Sequence, residues 1–456
     1  MGSEQQKISP MMNKLAAYMA GALRRPLPAN VVEKTQHHIA DTLAAILSGS
    51  RLLPGEQAIR YVATQGGNKE ATVMGTRLRT SAVNAAFANA MSAHADETDD
   101  SHQAGFFHPG CGIVPAAWAM AECTGASGRE LVRAVALGYD VGARVNIALG
   151  GVKFSLAAHS AHTFGALFGA AAAAGALAKL DAQQMRWLLS YTVQQASGVS
   201  CWMRDPDHIE KAFDFGGMPA RNGVYAASYV KHGFTGVADV FSGPRNFWDA
   251  YAGNVDTKHV TRELGRTYEI MRSNIKKWSV GSPIQPALDA LEHLIQQHGL
   301  TAANVTRLQV QVQDSESYIV DDRDMPDICM QHLLAVMLLD GKVTFASSHD
   351  VRRMKDRKVL DVRKRIQYSG SAALTRAGGR QAIVEVTTRD GRTLRHHTPV
   401  VPGAWENPLS RAEVDAKAHD LISAVIGKRR SLALLDHVWR LERVKDVNAL
   451  RPLLVA

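Results

Sequence analysis

Four carboxylates and three histidines fall within the fifteen residues from His94 to His108: Asp96, Glu97, Asp99, Asp100, His94, His102 and His108. A carboxylate beside an imidazole sets its tautomer and basicity, and general acid–base catalysis needs that arrangement. A solvated loop has the same composition. Pro109-Gly110, however, would fix the loop's shape, and the apolar segments on either side could bury it. Metal binding is compatible with the residue types, but no HExxH, paired-cysteine or calcium-loop spacing accompanies them, so no metal is expected. A second polar group, His159-Ser160-Ala161-His162, stands just before Gly165 at a helix start. There the positive end of the helix dipole favours neutral imidazole, although capping or core histidines would read the same. Third, Lys211 precedes Gly216-Gly217 and Arg221. A glycine-rich helix start beside two cations would suit a carboxylate, while nucleotide binding has neither a GxGxxG pattern nor a preceding strand to support it. Fourth, Lys276-Lys277 precede a Ser279–Ser282 turn, where an exposed lysine pair is the plain alternative.

The elements that must position these groups are mostly helices. From residue 9 to about 300 the apolar spacing is helical. Ile39, Leu43, Ile46 and Leu47 form a stripe ending at Gly49, and helices follow over Ala82–Met91, Pro115–Cys123, Gly128–Leu149 and Ala161–Leu180. The last is rich in Ala and Gly, which lets helix backbones approach closely. After about residue 300 the pattern changes. Val305–Val312 alternates as a half-buried strand, and Ile383–Thr387 and Thr393–Arg395 flank Asp390-Gly391, a hairpin signal. An apolar helix, Cys329–Leu339, lies between them and is closed by Asp340-Gly341. Ser410-Arg411-Ala412-Glu413 reads as a capping box that returns the chain to helix.

Composition narrows the class. The 456 residues are 46% hydrophobic and 21% charged, enough for two to four domains' worth of globular chain and unlike a disordered or fibrous one. No apolar run reaches the ~18–20 residues of a membrane helix. There is no secretory signal pattern, and Gln6 stands where a myristoylation motif wants Ser or Thr. Four scattered cysteines suit a reducing compartment, so a cytoplasmic protein is expected. The net charge of +9 fits nucleic acid, an anionic membrane or small anionic substrates. The basic clusters at 352–358, 363–365 and 428–430 lack a nucleic-acid module, and read as solvated faces.

Taken in order, these pieces resemble the MmgE/PrpD family of 2-methylcitrate dehydratases, cis-aconitate decarboxylases and iminodisuccinate epimerase, over about residues 10–450. The His94–Gly110 loop is similar to the family's His-Ala-x-Asp-x-Asp-Asp-Thr-His…His-Pro segment. His159, six residues before Gly165, is similar to its His-x5-Gly. Lys211, Lys276 thirteen residues before Asp289, Gln331–Gly341 and Asn407–Ser410 match further family segments.

The resemblance implies a mainly α protein. A large helical domain (9–275 and 403–454) would be built from both chain ends, with a smaller α+β lid domain (276–402) inserted, the site in the cleft and a homodimer as the assembly. It implies chemistry without a cofactor on a small di- or tricarboxylate, with no nucleic-acid or membrane partner. In that picture His108, His159, Lys211 and His332 are the catalytic candidates. Glu97, Asp99, Asp100, Ser101, His102 and Lys276 position or bind substrate. A 2-methylcitrate dehydratase-like loss of water is the leading expectation, and a two-base epimerase the alternative. Departures bear on the reaction: Glu97 is one methylene longer than the family's first loop carboxylate. Gly281 stands at the decarboxylases' histidine, and His332 at the tyrosine of the Gln-Tyr helix.

Overall fold

The computed structural model describes residues 8–251 and 256–456. The disorder expected for residues 1–8 falls, except for Ile8, outside the described residues. The chain is mainly α-helical, and tertiary contacts divide it into two units. The first comprises the residues up to Ala95, Asp99–Asn274 and Ser410–Ala456. The second is Ile275–Leu409 together with three residues of the acidic loop, Asp96–Thr98.

Six helices of the first unit position its polar groups: α1 (Ala29–Gly49), α2 (Ala82–Ala93), α3 (Pro109–Thr124), α4 (Gly128–Leu149), α5 (Ala161–Leu177) and α6 (Met218–Lys231). Local chemistry sets their ends. Ser127 and Glu130 form a reciprocal capping box on α4, which stops at Gly150 in the left-handed conformation. Pro109 opens α3 at its first position, where a missing amide hydrogen costs nothing. α5 is buried along its whole length, so its Ala/Gly composition serves packing on every side.

Glycines let α4 and α5 meet backbone to backbone at two levels one turn apart, Gly138 against Gly169 and Gly142 against Gly165. A Cβ on Gly142 would lie 2.3 Å from the Gly165 carbonyl oxygen, which neither helix can yield without separating. Gly142→Ala is therefore expected to cost about 1–3 kcal/mol through overpacking. A thermal midpoint equal to that of the wild type would show that the two helices are not so tightly held.

The second unit holds a four-stranded mixed sheet: β1 (Val305–Gln313), β2 (Ile366–Ser371), β3 (Ala382–Thr388) and β4 (Thr393–Thr398), in the order β2-β1-β3-β4. β1 and β2 are parallel, and the other pairs are antiparallel. The expected hairpin is present, with Gly391 at φ 87° beside Asp390 in the turn. β3 buries every second residue, Ala382, Val384, Val386 and Thr388. β1 slips at a bulge between Val305 and Arg307, so Thr306 and Arg307 are both exposed. The alternation then resumes, and Leu308, Val310 and Val312 join the apolar residues of helices Gln285–His298 and Met330–Asp340 in one core. Among the described residues no helix is long and apolar enough to cross a membrane.

Candidate active site

The loop after α2 carries its polar groups to buried positions, not to solvent. Asp99, wholly buried, lies between two imidazoles: His94 Nδ1 is 3.0 Å from both of its oxygens, and His108 Nδ1 is 3.2 Å from Oδ1. Burial alone would raise this carboxyl, but the charges and hydrogen bonds of His94 and His108 outweigh it and hold Asp99 well below the ordinary range. His108 is also the N-cap residue of α3, and its side chain makes no capping bond. The Gly110 amide that such a bond could serve donates instead to Asp100 Oδ1 at 2.8 Å. Asp100 accepts in addition from Tyr139 Oη and pairs with His38 Nδ1, both at 2.6 Å. Its carboxylate is therefore the anchor that ties the loop to α1, α4 and the start of α3.

Ser101 and His102 form a two-residue strand paired with Ser273–Asn274. His102 Nδ1 accepts from the Gly105 amide at 2.9 Å, which leaves Nε2 as the donor toward Glu269 at 3.2 Å. The His102 ring is thereby fixed on both sides within the loop.

An aromatic ring joins the loop to two other elements. Phe215 stacks on His94 at 4.4 Å and on His162 at 3.7 Å between centroids, with His108 at 5.5 Å. The His108 and His162 rings are themselves 5.5 Å apart. The Lys211 ammonium lies 5.4 Å from the centre of the same Phe215 ring and 5.7 Å from that of Trp202. The Phe215 ring thus has His94, His108, His162 and the Lys211 ammonium as neighbours.

His159 is placed differently. Its ring stacks on Phe154 at 4.4 Å and meets Phe164 and Tyr251 edge-on, in a separate aromatic group. The sequence places His159 and His162 in one polar group at the helix start, and the family resemblance put forward His159 and gave His162 no role. The direction of a side chain on a first helical turn is not visible in spacing. The stretch around Lys211 also differs from expectation. Gly216-Gly217 do not open a helix. They lie in a π-turn, Phe213–Gly217, inside a helical run from Ile209 to Lys231, so they offer no free helix N-terminus to a carboxylate. Gly216 is needed for close approach instead, since a Cβ there would meet the Ala90 carbonyl at 2.5 Å.

In the second unit, Lys276 is buried and not half of an exposed pair. Its ammonium donates to the Glu97 carbonyl at 2.8 Å and meets Glu97 Oε2 at 3.2 Å. His332 is wholly buried in the helix Met330–Asp340, and burial, then Arg363 and Arg353, lower it to about 4, so it is neutral. Neither of its ring nitrogens has a hydrogen-bond partner among the described residues. Gly281 packs toward Val320 and Ile328 and donates its amide to the Asp327 carbonyl.

Asp96 holds its three-residue segment by pairing with His349 Nε2 at 2.8 Å. Burial would lower His349, but its hydrogen bond and charge interaction with Asp96 raise it to about 9. A histidine raised in the folded state contributes stability that is complete below its ordinary 6.5 and is lost as pH rises through about 9. His349→Gln is expected to lower the thermal midpoint at pH 6, with the gap to wild type closing above about pH 9. A gap independent of pH would assign the loss to packing and not to the ion pair.

Among the described residues of the first unit, His94, Asp99 and Cys111 bring one donor atom each within 4.8 Å and are the group that could hold an ion. His94 Nε2 has no hydrogen-bond partner among the described residues, whereas the other two have protein partners. Asp99 serves two imidazoles, and the Cys111 thiol donates to the carbonyls of His108 and Phe215 at 3.2 and 3.6 Å.

The chain is 24% identical, over 94% of its own length and 94% of the relative's, to the cis-aconitate decarboxylase-like protein oryM of Aspergillus oryzae. A model of the MmgE/PrpD N-terminal domain matches residues 13–259, and one of the C-terminal domain matches residues 278–441. With most of its length matched by these two models, the chain belongs to the MmgE/PrpD family.

Proposed function

We propose that the protein removes a proton α to a carboxylate of a small di- or tricarboxylate and then eliminates water, in the manner of a 2-methylcitrate dehydratase. One observation carries the reading: His108, tied through Nδ1 to a buried Asp99, borders the same Phe215 ring as the Lys211 ammonium. An ionised carboxylate can only accept, so the Asp99 bond requires a proton on Nδ1 and leaves the lone pair on Nε2. A base with that fixed tautomer, beside a cation that stabilises enolate-like charge, is what α-proton removal needs. His159 as second proton carrier, and Lys276 and His332 as further site residues, enter on the resemblance alone. The domain limits 9–275 with 403–454, and 276–402, are likewise proposed, as are a homodimer and a cytoplasmic location. The excess positive charge of +9 is compatible with anionic substrates.

The second reading is a two-base epimerase of a dicarboxylate, in which His108 and a second histidine would address opposite faces of the α-carbon. Product analysis decides between them, using 2-methylcitrate, related hydroxy-tricarboxylates and chiral dicarboxylates. Dehydration yields a new alkene absorbance. Epimerisation yields loss of optical activity with no alkene. Release of carbon dioxide from an unsaturated tricarboxylate would instead align the chain with the name of its Aspergillus relative and overturn both readings.

A further inference from the structure

Ser160 is the N-cap residue of α5, yet its hydroxyl makes no capping bond to its own helix. A serine there ordinarily accepts from a backbone amide one turn on. Here the Ser160 hydroxyl donates to the Asp214 carboxylate and accepts from Trp202 Nε1 at 3.2 Å. Asp214 makes a second tie to the same turn, since its backbone carbonyl accepts from Thr163 Oγ1 at 2.7 Å. One residue therefore grips α5 at its N-cap and at its third position. His162 sits between the two grips, and His159 immediately precedes the first.

The π-turn makes this possible. The extra residue in Phe213–Gly217 breaks the regular ladder of the helical run at Asp214, and a side-chain hydroxyl meets the carbonyl there. The following residue, Phe215, lies flat on His162, with the ring planes 10° apart. The same turn thus holds the helix start by two hydrogen bonds and the imidazole by a stack. Nothing in the sequence marks Asp214, a single carboxylate between two phenylalanines.

We propose that Asp214 is a positioning residue: through Ser160 and Thr163 it fixes the first turn of α5, and so the placement of the His162 and His159 imidazoles. Its effect on turnover rests on the α-proton chemistry proposed above, but the positioning itself does not. Asp214 is 5% exposed, and burial, opposed by the Ser160 and Thr163 hydrogen bonds and reinforced by Glu210, lifts it to about 7. Glu210 and Lys211 lie on its own helical run, Glu210 raising it by charge, and His159 and His162 flank its partner Ser160 at the start of α5.

The test compares Asp214→Asn, Ser160→Ala and Ser160→Thr in the full chain. The first readout needs no substrate: the titration midpoint of His162, followed by NMR with labelled histidine and assigned by its loss in His162→Gln. Asp214→Asn and Ser160→Ala should both move that midpoint, and Ser160→Thr, which keeps the hydroxyl, should restore it. The second readout is kinetic. Misplacing a reacting group by a fraction of an ångström to 1 Å costs up to about 10²-fold, so kcat should fall about 10–100-fold with little change in KM. The double variant should be no worse than the poorer single. An unchanged His162 midpoint in Ser160→Ala, with kcat within about twofold of wild type, would overturn the proposal even if Asp214→Asn fails to fold. If wild-type enzyme turns over no carboxylate, the functional reading fails while the NMR result still decides the positioning role.

Discussion

His108→Ala is expected to lower kcat by about 10²–10⁴-fold, the range that a positioned acid–base group contributes. Three features of the wild type make this the largest catalytic effect. The imidazole stands at the head of α3, where Pro109 and the Asp100 bond to the Gly110 amide hold the backbone. Its Nδ1 is committed to Asp99, so Nε2 is the nitrogen assigned to take the proton. It also borders the same Phe215 ring as the Lys211 ammonium, the cation assigned to the developing enolate charge. The alanine variant should still fold, because His108 provides no cap, Asp99 keeps His94 and Asp100 keeps its own partners. Its midpoint should be lowered, since the buried Asp99 loses one of its two imidazoles. Steady-state kinetics beside a thermal melt separates the two effects. Loss of activity at a temperature where the melt shows the variant folded supports the assignment, and retention of more than a tenth of wild-type kcat contradicts it.

Asp99→Asn is expected to carry the largest cost in stability, about 3–5 kcal/mol, because it removes one partner from a buried ionic group. An amide oxygen in the place of Oδ1 can still accept from both imidazoles but carries no charge, and the amide hydrogens in the place of Oδ2 face His94 Nδ1, itself a donor. Asp99 is held well below 3.8 in the folded state, so the carboxylate contributes stability above about pH 3.8. That stability disappears as pH falls through the depressed folded value. The difference in thermal midpoint between wild type and Asp99→Asn should therefore be full at pH 7 and shrink toward acid pH. A difference that is constant from neutral to acid pH would contradict the ionic role. Activity should fall as well, since the His108 tautomer loses the anion that selects it.

Much of this was legible in the residues because local chemistry announces itself. The Asp390-Gly391 hairpin, the Gly341 helix stop and the Ser410 capping box needed no distant partner, and each is present. The loop between His94 and His108 was marked by composition alone. The division of labour within it was not. Asp100 is consumed by His38 and Tyr139, and His102 by Glu269, residues 39 to 167 positions away in sequence. Lys276 reads as a surface lysine until Glu97 closes on it. β2 was missed because its exposed edge buries no clear alternating face. The π-turn was missed because one inserted residue leaves the helical pattern nearly intact, yet it carries Asp214 and Phe215 to the imidazoles.

The central claim is that His108 removes an α-proton from a small polycarboxylate. Its most direct test is solvent exchange: purified wild type and His108→Ala are incubated in D2O with 2-methylcitrate and related di- and tricarboxylates, and deuterium at the α-carbon is followed by NMR. The account predicts incorporation into at least one substrate with wild type and none above background with His108→Ala. No incorporation into any of them by wild type, or equal incorporation by the variant, would contradict it.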